Sequence, residues 1–451
     1  MTFSALDSAL LGPLFATDAM RAVFADEARV AAMLGTEAAL AQAQAEIGLA
    51  PEALAPAVAA IAPDTLDLAG LGRKTAVAGV PAIPFVAAVQ GRLSAELEPA
   101  FHKGATTQDI ADTALVLQLR DALDLVAADL GPILESLEGL AATHRDTACV
   151  GRSYGQHAAP ISFGFKAAIW MLGIAEVAGE LPRMRERVLV GSLAGPVGTL
   201  SAMGERGPEV GDRFAAALGL RAEPIAWHTR RARMAQLGSW LATLIGALAK
   251  MATDVAHLAS TEVGEVAEPH GAGRGGSSAM PHKRNPVSST VILAAHAAAP
   301  GLVVTLLNAM AAAHERPVGL WHAEWHALPQ LFGLASGALR EARVLAEGLL
   351  VDPDRMRANL DLTRGLLFAA AAAAGLAPAL GRESAHLLVE RAAGEVQTSG
   401  VPLREVLGRM PEARGAGNLD EAFDLAPALR SAALWTDRAL AETARLRATV
   451  A

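Results

Sequence analysis

Apolar residues recur at helical spacing over long stretches of the chain. Met20, Val23, Phe24, Val30, Leu34 and Leu40 form one stripe, which ends near Gly48. Leu115, Leu119, Leu123, Val126, Leu130, Ile133, Leu137 and Leu140 form a longer one, and Met234, Leu237, Leu241, Leu244, Leu248, Met251, Val255 and Leu258 a third. Stripes of this length suit the helices of a bundle. Pro132 lies inside the second stripe and predicts a kink rather than a stop, because packing along a long helix can offset one lost backbone bond. No segment shows convincing strand alternation, and no fixed-period repeat is present. The pattern predicts an all-α protein in three blocks. An N-terminal block, 1–103, is broken by Pro51, Pro56, Pro63 and the run Gly79 to Pro84. A central block, 104–350, holds the long stripes. A C-terminal block, 351–451, opens at Asp352-Pro353-Asp354 and carries turn signals at Gly400-Val401-Pro402 and Gly415-Ala416-Gly417-Asn418.

Composition agrees. Of 451 residues, 52% are hydrophobic but only 4% aromatic, so the apolar mass is mostly Ala, Leu and Val, and the first two are strong helix formers. Charged residues reach only 19%, which suggests that other subunits cover part of the surface. The net charge of −9 argues against nucleic acid as a partner, yet leaves room for a small anionic substrate held by local cations. Cys149 is the sole cysteine, which excludes an internal disulfide and a cysteine-built zinc site and fits a reducing cytoplasm. The first residues lack a basic run, which argues against a signal peptide. The stretch from Asn285 to His314 has no Asp, Glu, Lys or Arg, but Pro286, His296, Pro300 and Gly301 interrupt it. It predicts a buried bundle helix rather than a membrane span.

The densest chemistry lies in Gly273-Arg274-Gly275-Gly276-Ser277-Ser278-Ala279-Met280-Pro281-His282-Lys283-Arg284-Asn285-Pro286. Glycines permit close backbone approach to a ligand, and successive amides can cradle an anion. A flexible linker is the plainer reading, but a linker does not usually end in His-Lys-Arg-Asn. His322, Glu324 and His326 invite a metal reading. Zinc proteases, however, need the Glu directly after the first His. No phosphate-loop or dinucleotide motif is present, so no cofactor is expected.

The glycine-rich stretch resembles the signature of the fumarase/aspartase superfamily. Further segments resemble it in the family's order: Gly104 to Ile110, Gly151 to Pro160, Trp227-His228-Thr229-Arg230-Arg231, Thr261 to Val266, and His314-Glu315-Arg316. The resemblance implies an all-α, three-domain fold and a homotetramer whose active sites are shared between subunits. It also implies a reversible β-elimination through a carbanion next to a carboxylate. Fumarate-releasing lyases of the superfamily place Thr-His where this chain has Ser153-Tyr154. The aromatic residue there, followed by Gln156-His157, is similar to the lactone-forming cycloisomerases, whose substrate is a small tricarboxylate. By that resemblance Ser277 moves the proton, with Ser278 as its neighbour and alternative, while Lys283 and Asn285 hold the developing charge and His157 acts nearby. Thr106, Thr107 and Gln108 match a carboxylate-binding segment, and Arg152, Arg231 and His102 are further substrate contacts. Plainer readings stand beside these: the serines as helix caps, His157 as a structural histidine, the two arginines as intersubunit ion pairs. His228 and Trp227 read as packing residues. A fumarate-releasing lyase and an inactive homologue are the alternative functions.

Overall fold

The computed structural model describes residues 3–271, 273–277, 279–416 and 419–450, residue 450 by its backbone alone. It is 68% helical. In chain order the elements that matter here are α1 (Asp26–Ala45), α2 (Thr107–Thr143), β1 (Ala148–Ser153), β2 (Gln156–Ser162), α3 (Phe163–Ala178), α4 (Ala232–Leu258), β3 (Val266–Ala267), α5 (Val287–Ala309), α6 (Leu320–Gly348), β4 (Leu350–Val351) and α7 (Ala426–Val450). The second and third apolar stripes are the buried faces of α2 and α4. α2 runs unbroken through Pro132.

Start signals explain the helix ends. Thr106 caps α2 in a capping box: its side chain accepts from the third helical N–H, and Asp109 accepts from the Thr106 N–H at 2.9 Å. The Ser162 hydroxyl accepts from the Phe165 N–H at α3. Glu268 caps α5, accepting from the N–H groups of Ser288 and Ser289 at 2.9 Å each.

α2, α3, α4, α5 and α6 pack side by side around the largest core. α1 and the short helices before residue 101 enclose a second apolar cluster, closed by Ile110 and Ala114 of α2. A third cluster runs from Ala372 to Ala422. Residues 426–450 leave that last block, because α7 returns to lie along α3 and packs Ala439, Leu440 and Leu446 on the central core. α4 and α5 are long and apolar enough to cross a membrane by length and composition. Their contacts with each other and with α6 make them bundle helices. α5 departs from the expected buried helix: within one chain Val304 and Leu307 are exposed, at 55% and 51%.

The chain also holds strands that hydrophobic alternation does not reveal. β1 and β2 form an antiparallel hairpin, and β3 pairs with β4. In β1 the apolar Cys149 and Val150 are consecutive, so no period of two appears. The readable signal is the two-residue turn Tyr154-Gly155, with φ of 50° and 76°, which suits a right-twisted hairpin.

Candidate active site

The sequence-derived candidates fall into two groups at opposite ends of the bundle. The first surrounds the start of α2. Arg316 donates to the Thr106 hydroxyl at 2.8 Å and to the Thr107 hydroxyl at 3.0 Å, so one guanidinium bridges both threonines. Below them the buried Asp109 carboxylate accepts from the Ala194 and Gly195 N–H groups at 2.9 Å each and lies 2.7 Å from His228 Nε2. His228 and Trp227 are packing residues: both are enclosed, and Trp227 donates to the Gly191 carbonyl. His102 precedes this segment, with Nδ1 2.6 Å from Glu37 Oε1.

Two expected substrate contacts are turned inward. Gln108 is 1% exposed and donates to Asp112 at 3.2 Å and to the His228 carbonyl at 3.0 Å. Arg231 is 1% exposed and lies between Asp112, at 2.8 and 3.1 Å, and Glu324, whose two carboxylate oxygens both accept from it. Burial opposes the charge, but Asp112 and Glu324 outweigh it and hold the guanidinium above its ordinary range. Arg231 therefore ties α2, α4 and α6 together inside one chain, its guanidinium bonded to Asp112 and Glu324 where a substrate contact was expected. The same ion pair removes Glu324 from any metal reading.

The second group lies at the far end of α4. Arg152 of β1 makes a two-pronged ion pair with Glu265, at 2.6 and 3.1 Å, and Asn359 donates to the same carboxylate at 2.8 Å. Arg152 pairs across the hairpin with His157, whose Nδ1 is buried without a partner among the described residues. Burial first, and the Arg152 charge second, hold His157 below its ordinary value, so the neutral imidazole predominates at neutral pH. A cleft of about 620 Å³ opens under the hairpin, lined by Arg152, Lys166, Lys250 and His257. Tyr154 at the turn is fully exposed.

The glycine-rich loop is at this same end. The Asn285 N–H donates to the Gly275 carbonyl at 2.9 Å, and Gly276 bridges to Arg284, so the segment closes on itself. Arg274 fastens its base to Glu341 and Ser288. Lys283 and Asn285 line a cleft of about 830 Å³ together with Thr261, Glu268, His270 and His282. The Ser277 hydroxyl accepts from the Met280 N–H at 3.1 Å, a local turn contact ten residues short of α5. Among the described residues no side-chain hydrogen bond joins Ser277 to Lys283. Ser278 lies outside the described residues.

Reading by residue type missed three members. Arg316 sits within a family-like segment, as does Glu265, so both were visible there. Glu37 is one of three acids in an alanine-rich helix and carries no sequence signal.

α4 separates the two groups. Arg231, immediately before α4, is bonded to the first turns of α2, while Leu258 at its other end lines the cleft under the hairpin. Twenty-seven residues at ~1.5 Å each make that separation ~40 Å.

This helical bundle, with its hairpin and self-closed glycine loop, falls into a known class. A model of the lyase family matches residues 14–301, and one of the adenylosuccinate lyase C-terminus matches residues 365–439. The chain belongs to the lyase family. The 3-carboxy-cis,cis-muconate cycloisomerase of Pseudomonas aeruginosa is 46% identical over 440 residues, covering 96% of each chain. Nitrosuccinate lyase of Streptomyces davaonensis is 42% identical over 451 residues, covering 96% of this chain and 95% of that one. The crystal structure of 3-carboxy-cis,cis-muconate lactonizing enzyme from Pseudomonas putida matches with a TM-score of 0.92 at 42% identity, covering 97% of this chain and 100% of that one.

Proposed function

We propose that this chain is an intramolecular lyase that closes 3-carboxy-cis,cis-muconate to 4-carboxymuconolactone, a step of aromatic-ring breakdown in the cytoplasm. The observation that carries the reading is the near-complete match to cycloisomerases, 96% of each chain at 46% identity. An aromatic Tyr154 stands where fumarate-releasing lyases of the superfamily carry histidine, which supports it.

In this reading a carboxylate oxygen of the substrate adds to the conjugated double bond and forms the lactone C–O bond. The displaced electron pair moves onto the carbon beside another carboxylate and delocalises into it. Protonation of that carbon quenches the carbanion and completes the reaction. The nucleophile is tethered, so the protein's work is to fold the substrate, hold the charge and move one proton. Ser277 delivers the proton; Lys283, Asn285 and the loop amides stabilise the charge. Thr106, Thr107 and Arg316 hold a carboxylate at the other pole, with Arg152 and His157 on the hairpin.

These groups lie ~40 Å apart in one chain, so a site containing all of them is assembled from several copies. We place the chain in a homotetramer joined along the central helices, supported by the exposed apolar side chains of α5.

The test is direct. Purified protein mixed with 3-carboxy-cis,cis-muconate should bleach the diene's ultraviolet absorbance and yield 4-carboxymuconolactone, and Ser277→Ala should remove nearly all turnover while keeping the assembly. The 42% identity to nitrosuccinate lyase favours a second reading, elimination from a substituted succinate. Absence of bleaching, with fumarate released from such a succinate, would establish it instead.

A further inference from the structure

Glu37 has no part in the chemistry above, yet its position is costly. Its side chain is fully enclosed on α1, and its Oε2 has no partner among the described residues. A buried carboxylate in that state needs a counter-charge. The group that meets it is His102, with Nδ1 at 2.6 Å from Oε1. The backbone is bent to bring it there: His102 has φ of 58°, a left-handed conformation that a non-glycine residue adopts only when held. A second contact from α1 holds the same loop, where Gln44 Nε2 donates to the Lys103 carbonyl at 2.8 Å.

With Nδ1 engaged, the opposite edge of the ring carries Nε2, and 18% of the side chain remains open. His102 lies four residues before Thr106, whose hydroxyl Arg316 holds. The charged groups that act on it are Glu37 from α1 and Asp109 from α2, with Lys103 beside it in the chain.

We infer that Glu37 is a positioning residue that keeps His102 an imidazolium and aims it, beside Arg316, at a carboxylate of the substrate. This rests on the tricarboxylate reading above. Burial alone would lower the His102 pKa; the bond to Glu37 and its charge outweigh this, and the pKa lies above its ordinary value. The cation therefore survives into neutral pH and is lost only as pH rises through the raised value. In Glu37→Gln the amide oxygen can still accept from Nδ1–H, so the ring keeps its place, but only the Asp109 charge then opposes burial and the cation disappears at lower pH.

The experiment pairs kinetics with titration. Steady-state rates on 3-carboxy-cis,cis-muconate are measured from about pH 6 to about pH 9 for wild type, Glu37→Gln, His102→Gln and the double variant. We expect Glu37→Gln to raise KM ~10-fold near pH 8, to leave kcat within ~2-fold, and to approach wild type near pH 6. In the His102→Gln background the second substitution should then change nothing further. A Glu37→Gln enzyme with the wild-type KM profile, or one that loses kcat equally at every pH, overturns the inference. Should Glu37→Gln fail to fold, an NMR titration of histidine-labelled wild-type protein, with the His102 signal assigned through His102→Gln, decides the matter. A His102 pKa above about 6.5 supports it, and one at or below that value overturns it. If wild type bleaches no diene, the substrate reading fails, while the titration still settles whether Glu37 holds the cation.

Discussion

Two arginines at the same end of the bundle do opposite work, and their partners show why. Arg231 faces Asp112 and Glu324 in a site closed to solvent. Asp112 also accepts from Trp321 Nε1 at 3.0 Å and from Gln108, so the cation neutralises a network rather than one acid. Removing it in Arg231→Leu strands two buried carboxylates, at a cost of about 3–5 kcal/mol. Calorimetry should show a large fall in Tm, or the chain should fail to accumulate; a Tm within a degree or so of wild type would contradict the buried-network account. Arg316, by contrast, is half-buried and, among the described residues, bonded only to two hydroxyls, which leaves its charge free for an anion. Arg316→Ala should leave Tm nearly unchanged and lower kcat/KM at least ~10-fold, chiefly through KM. An unchanged KM would remove this arginine from the substrate.

At the scale of elements, what decides the site is how the end of α2 meets the start of α3, because the hairpin is strung between them. Gly164 makes that meeting possible. A Cβ there would stand 2.5 Å from the Ala141 carbonyl oxygen and 2.7 Å from the Arg145 nitrogen, both backbone atoms that cannot swing aside. Its own N–H donates to the His144 carbonyl at 2.7 Å. Gly164→Ala should cost about 2–3 kcal/mol and displace the hairpin, lowering both Tm and turnover. Gly139→Ala, in open space on the exposed side of α2, should leave Tm level or raise it slightly. Equal Tm for the two variants would show that the helix junction is not tightly packed. These junctions also mark the limit of what the sequence shows. The long helices were legible because a stripe such as Leu115 to Leu140 repeats a local spacing many times. The hairpin was not, because its register comes from the Tyr154-Gly155 turn and from cross-strand pairing. The glycine loop that carries Ser277 and Lys283 stood out through residue type and resemblance, but its closure through Gly275 and Asn285 did not. The inward turn of Gln108 and Arg231 was not, because only the fold brings Asp112 and Glu324 to them.

At the scale of the whole molecule, the ~40 Å length of α4 turns a question about residues into one about assembly. Arg316 and Ser277 cannot serve one substrate within one chain, since the first sits at the start of α2 and the second beyond the end of α4. If the site takes them from different copies, two impaired variants can repair each other. Arg316→Ala chains, weakened through KM, and Ser277→Ala chains, inactive alone, should regain activity at low substrate concentration when unfolded together in equal amounts and reassembled. Every site then draws its arginine and its serine independently, and each is intact in half of the draws, so about one site in four is whole. Sites built within single chains would give no gain over the residual rate of the Arg316→Ala chains, because each chain carries one lesion. A recovery near one quarter of the wild-type rate, in particles with the mass of four chains, is the expected outcome. Well-formed mixed tetramers no faster than the Arg316→Ala chains they contain would place both residues in one chain's site and contradict the separation along α4.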